Sequence, residues 1–145
     1  MGLFSFGKKV KLYAPVDGTL TDLADGTTGF AVRPERHHIY SPVDGTVSEL
    51  LPEQGTMTLT SGKVTIRLQM GSIAGSGAAT YVHEGDTVTP ETPIAFMDQD
   101  DLEEAGEDAT VTVTVDNAAT AGKAVKLSTS GQVSHDQEVA TVVAK

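Results

Sequence analysis

Tyr13–Thr19 reads YAPVDGT and Tyr40–Thr46 reads YSPVDGT, identical at six of seven positions and 27 residues apart. A copy this close implies one supersecondary unit used twice. In each copy Pro-x-Asp-Gly stands between apolar runs. Proline presets φ for one turn position, and Asp-Gly offers a side-chain acceptor and a residue free to take φ > 0 for the next. The stretch therefore predicts a tight turn between two strands, built twice.

The flanking sequence carries the same signal. Thr56–Thr60 (TMTLT) and Val64–Leu68 (VTIRL) alternate around the turn Ser61-Gly62-Lys63 and predict a hairpin. Thr110–Val115 (TVTVTV) is an unbroken β-branched run, whose χ1 stiffness suits a pleated surface. Two later segments share a second pattern, a polar turn between a β-branched residue and a closing strand: His83–Phe96 (HEGDTVTPETPIAF) and Gly131–Val142 (GQVSHDQEVATV). Asp98–Gly106 (DQDDLEEAG) is the one helix candidate, short and acidic at its start, where the helix dipole favours negative charge. The expected architecture is all-β, a sandwich or barrel-like domain with a duplicated strand unit and one short acidic helix. No linker is visible, so residues 1–9 read as a flexible leader and 10–145 as a single domain.

Composition narrows the function. The chain has 145 residues, 20 acidic side chains against 10 basic, a net charge of −10 and no cysteine. A chain this long buries about 70% of its unfolded surface, enough for one core. The negative charge opposes binding to nucleic acid and anionic lipid. The missing cysteines exclude disulfides, thiolate metal sites and thiol catalysis, and they suit a reducing compartment. Met1–Lys11 (MGLFSFGKKVK) has no apolar run long enough for a signal peptide or a membrane span. At most, Leu3, Phe4 and Phe6 give it a weak interfacial contact. The expectation is a soluble, cytoplasmic, monomeric protein.

In sequence order, YAPVDGTL, GFAVRP, YSPVDGTV, a hairpin ending in QMG, YVHEGDTV, PIAFMDQDDLEEAGEDATVTVTVDN and KAVKLSTSGQVSHDQEVATVV resemble the glucose-type enzyme IIA domain of the bacterial sugar phosphotransferase system. The resemblance covers Val10 to Lys145. It implies a β-sandwich built on a duplicated hybrid motif, working as a phosphocarrier. A histidine of such a domain takes a phosphoryl group from a small histidine-containing carrier protein and passes it to the membrane permease, while a second histidine stabilises the phosphorylated ring. Neutral imidazole is nucleophilic near pH 7, which explains the residue type.

At both histidine positions the chain departs from that pattern. The family's acceptor follows a Pro-x-x, and in Leu51-Pro52-Glu53-Gln54-Gly55-Thr56-Met57 its position is held by Gly55. The second lies in an apolar-His-apolar-Gly strand end, which here is Leu68-Gln69-Met70-Gly71, so Gln69 replaces it. A one-residue slip would offer Gln54 or Thr56. The family's next Asp aligns near Ile73. A longer segment between Asp22 and Gly29 is cut to LADGTT. Glutamine cannot form a transferable phosphoryl–nitrogen bond. The implied function is a binding or regulatory homologue without phosphotransfer, whose partners would be phosphotransferase-system proteins or a permease. Leu51, Met57, Leu68, Met70 and Phe96 are the candidate apolar patch around the vacated position.

Two alternatives stay open: a phosphocarrier with a displaced acceptor, and an unrelated enzyme on the same sandwich. The four histidines are His37, His38, His83 and His135, all in charged or polar turns, with His83 the best displaced candidate. Lysostaphin-type zinc peptidases share the duplicated unit but need a His-x-His strand, which is absent. Lys63 lies at a hairpin tip without the flanks a lipoyl or biotinyl attachment site needs. Gly71–Gly77 lacks the P-loop order, and the carboxylates of Asp98–Asp108 lack an EF-hand order. No cofactor and no metal are expected.

Overall fold

The computed structural model describes residues 9–22, 29–51, 55–62, 64–70, 79–98, 100, 104, 106, 109–115 and 126–143. Its strands, in chain order, are β1 Lys9–Tyr13, β2 Gly18–Asp22, β3 Gly29–Pro34, β4 His38–Tyr40, β5 Gly45–Leu51, β6 Thr56–Ser61 and β7 Val64–Met70. They continue as β8 Ala79–Thr80, β9 Thr87–Val88, β10 Pro93–Phe96, β11 Val111–Val115, β12 Lys126–Leu127, β13 Gly131–Val133 and β14 Glu138–Val143. One eight-stranded sheet runs β13-β2-β3-β11-β7-β6-β5-β9, and two three-stranded sheets run β1-β14-β12 and β4-β10-β8. The all-β expectation holds. Asp100 and Glu104 have helical backbone, but most of the acidic segment lies outside the described residues, as do Met1–Lys8, Lys63 and the glycine-rich 71–77 stretch.

The two PVDG copies bond to each other. Tyr13 N donates to Pro42 O at 2.8 Å, and Tyr40 N donates to Pro15 O at 2.6 Å. Each copy then pairs with its own later segment. Tyr13 faces Glu138 and Gly18 faces Val133, while Tyr40 faces Pro93 and Gly45 faces Val88. The two closing turns use matching bonds, Thr89 N to Thr92 Oγ1 and Ser134 N to Gln137 Oε1, both 3.0 Å. The second sequence pattern is thus the partner of the first, and the fold is two interlocked copies of one unit.

Neither Gly18 nor Gly45 takes a positive φ; among the described residues the glycines that do are Gly55, Gly62, Gly85, Gly106 and Gly131. The expectation that Asp-Gly supplies a left-handed turn residue is therefore corrected. What excludes a side chain is strand spacing. A Cβ on Gly18 would overlap the carbonyl oxygen of Arg33 on β3, and one on Gly45 that of Thr60 on β6. The turn residues lie earlier, and the glycines already belong to β2 and β5. The repeats differ at Ala14 and Ser41. Ser41 is fully buried, and its hydroxyl donates to Val43 O at 2.6 Å and accepts from Val43 N at 3.2 Å. Ser41→Ala is expected to cost about 1 kcal/mol. Urea titration would read it as a lower midpoint with an unchanged slope.

The hairpin is tighter than its sequence implies. Ser61 pairs with Val64, and Gly62 after Ser61 takes φ 61°. Alternation along the central strands decides the core. Met57 and Leu59 of β6, Val64, Ile66, Leu68 and Met70 of β7, and Val111, Val113 and Val115 of β11 are buried with Phe30 and Val32 of β3. Leu12, Ile39, Ile94, Val139 and Val142 join the same cluster from the small sheets. The side chains between them, mostly threonines, face outward on the large sheet.

Candidate functional site

Strand register builds the site on that outer face. Leu51 pairs with Thr56, Thr56 with Gln69, Gln69 with Thr112, and Thr112 with Ala31, giving one row across β5, β6, β7, β11 and β3. Thr56 is 8% exposed, and its hydroxyl donates to Gln69 Oε1 at 3.1 Å. That bond aims the other half of the carboxamide toward Gly55. A Cβ placed on Gly55 would lie 3.5 Å from Gln69 Nε2.

Gly55 closes the row from the loop side. Its φ is 66°, and its carbonyl accepts Met70 N at 2.7 Å. A Cβ there would come within 2.8 Å of Met70 O. The position is thus adapted to glycine twice, by a left-handed backbone and by the close pass of β7. The row is lined by hydroxyl and amide groups and contains no nucleophilic nitrogen or titrating group.

The five apolar candidates separate. Met57 and Leu68 are fully buried and Met70 is 1% exposed, so these three belong to the core and not to a surface patch. The cause is the two-residue period of the strands. Outward Thr56 and Gln69 force their neighbours inward. Leu51 is half-buried at the end of the row, and Phe96 is half-buried on β10 in a different sheet.

The histidines lie apart from the row in the strand order. His83 follows β8, with its side chain 90% exposed and Nδ1 3.9 Å from Asp86 Oδ2. Its own amide also donates to that oxygen, at 2.8 Å. Glu84 beside it accepts Leu50 N at 3.0 Å, which ties this loop to β5. His135 lies flat on Tyr40, with ring centroids 3.9 Å apart and planes 8° apart, and its Nδ1 is buried with no hydrogen-bond partner. His37 and His38 pack against Phe96 at 5.6 and 5.4 Å. Among the described residues no cluster of three or more His, Cys, Asp or Glu could hold a metal ion, and no helix is long and apolar enough to cross a membrane.

Sequence reading missed Thr56 as the partner that fixes Gln69. The signal lies in TMTLT, where Thr56 falls in the outward set with Thr58 and Thr60. It also missed the rings gathered on Phe96, because β4, β8 and β10 are distant in sequence.

Residues 10–121 match the model of the family described as phosphoenolpyruvate-dependent sugar phosphotransferase system, EIIA 1. Among solved structures, the glucose permease IIA from Mycoplasma capricolum superposes with a TM-score of 0.80 at 22% identity, over 94% of this chain and 97% of that one. At that identity the likeness speaks for the fold. No curated protein matches the chain.

Proposed function

The chain belongs to the EIIA 1 family of the phosphoenolpyruvate-dependent sugar phosphotransferase system, and on that footing we propose that it is a IIA-type docking domain that does not carry the phosphoryl group itself. The observation that carries this reading is the pair Gly55 and Gln69, which stand where the resemblance places the acceptor and its supporting histidine. Phosphoryl transfer to nitrogen needs an unprotonated imidazole within reach of the donor phosphorus. The row Leu51–Thr56–Gln69–Thr112 supplies only neutral hydrogen-bonding groups. The family implies a protein partner, of the class of phosphotransferase-system components or a permease.

The test is incubation of the full chain with labelled phosphoenolpyruvate and the two upstream carrier proteins. The expected result is no phosphohistidine on this protein, and none on His83→Ala. Labelling of the wild-type chain that vanishes when His83, or one of His37, His38 and His135, becomes alanine would establish a displaced acceptor instead. His83 has one carboxylate neighbour, Asp86, and a solvated ring.

Reinstalling the histidines is expected to fail as well. In Gly55→His the side chain meets a left-handed backbone, at about 1–2 kcal/mol, and the carbonyl of Met70. The double variant with Gln69→His should therefore be less stable than the parent and still unlabelled. Efficient labelling of it would show that the loop adapts and that only the side chains were lost.

A further inference from the structure

Away from the Thr56–Gln69 row, the sheet β4-β10-β8 carries four rings in contact. Phe96 pairs with His38 on one side and Ala79 on the other. The His38 ring meets Phe96 edge-on at 5.4 Å and stacks on Tyr81 at 6.1 Å, while His37 stacks on Phe96 at 5.6 Å. Tyr81 is held by its amide bond to Ile94 O at 2.9 Å, yet it is 49% exposed, the one exposed large apolar side chain among the described residues. Aromatic residues make up only 5% of the chain, so this grouping is a local concentration.

Two carboxylates, Asp98 and Asp100, follow Phe96 closely in the chain. Met97 N donates to His37 O at 2.8 Å, which sets Asp98, the next residue, at the His37 end. Asp98 Oδ1 accepts Asp100 N at 3.1 Å, and Asp100 is exposed. The whole chain carries −10.

We propose that this ring cluster is a docking surface for an arginine-bearing segment of a partner protein. A guanidinium stacks flat on exposed aromatic faces and can pair bidentately with a carboxylate, whereas a lysine ammonium acts as a compact point charge without that planar fork. The negative charge of the chain draws such a segment in and turns away anionic ligands that would otherwise stack on Tyr81. The surface uses neither Gly55 nor Gln69.

The full chain, isotopically labelled, is titrated with a blocked Gly-Arg-Gly-Arg-Gly peptide and with its lysine counterpart, and ring resonances are followed by NMR. The arginine peptide is expected to shift Tyr81, His38 and Phe96 and to bind more tightly than the lysine peptide. Tyr81→Ala should weaken it about two- to fivefold, Tyr81→Phe should retain it, and Asp100→Asn should weaken it. The exposure of Tyr81 and Asp100 keeps these variants folded, which the dispersion of the same spectra reports. Shifts spread evenly over the acidic surface, unchanged binding in Tyr81→Ala, or a neutral proline-rich peptide moving the rings where the arginine peptide does not would each overturn the proposal.

Discussion

Replacing Leu68 with alanine is expected to remove about 2–5 kcal/mol of stability. Leu68 is fully buried on β7, between Met57 of β6 and Val113 of β11 in register, both also fully buried. Truncation loses the transfer free energy of the deleted carbons and leaves a cavity that strands bonded on both sides cannot close. For a chain of this size the loss corresponds to a melting temperature lowered by roughly 4–20 °C. The measurement separates two roles for the residue. A surface leucine at a docking site would leave stability within about 0.5 kcal/mol of the parent and weaken partner binding instead. An unchanged melting temperature would return Leu68 to the docking surface.

Gly18→Ala and Gly45→Ala are each expected to cost about 1–3 kcal/mol. In both, the new methyl overlaps a carbonyl oxygen of the adjacent strand, Arg33 on β3 or Thr60 on β6. Relief requires parting two strands that are otherwise paired along their length, so a rotamer change cannot absorb the clash. Asparagine discriminates the cause. It tolerates left-handed backbone better than alanine does, but it is larger. Steric exclusion predicts Gly18→Asn at least as damaging as Gly18→Ala in a thermal melt. A milder asparagine variant would mean that backbone conformation was the constraint.

These two expectations also mark where sequence reading reaches and where it stops. The repeat, the hairpin and the Val111–Val115 strand are local patterns. A turn chemistry or a two-residue alternation is printed in adjacent residues, and each appears where the pattern places it. The inward fate of Met57, Leu68 and Met70 was legible too, because they share strand parity with Leu59 and Ile66. Grouping them with Leu51 and Phe96 by hydrophobicity ignored that parity. The glycine of Asp-Gly shows a different limit. The dipeptide has two physical uses, free φ and close approach of a neighbouring strand, and the neighbour comes from another part of the chain.

A duplicated all-β unit, Gly55 and Gln69 at the two histidine positions of the resemblance, and the absence of cysteine chemistry are all legible in the residues. Those are properties of residue identity and short-range order. The reciprocal bonds of the two PVDG turns and the hold of Thr56 on the Gln69 carboxamide follow from strand pairing. The folded chain alone shows that Gly55 has a backbone no ordinary residue adopts easily, and that Tyr81, Phe96, His37 and His38 meet on one small sheet. Each of these depends on strand pairing between segments tens of residues apart, where register sets the neighbours and the chain between them does not.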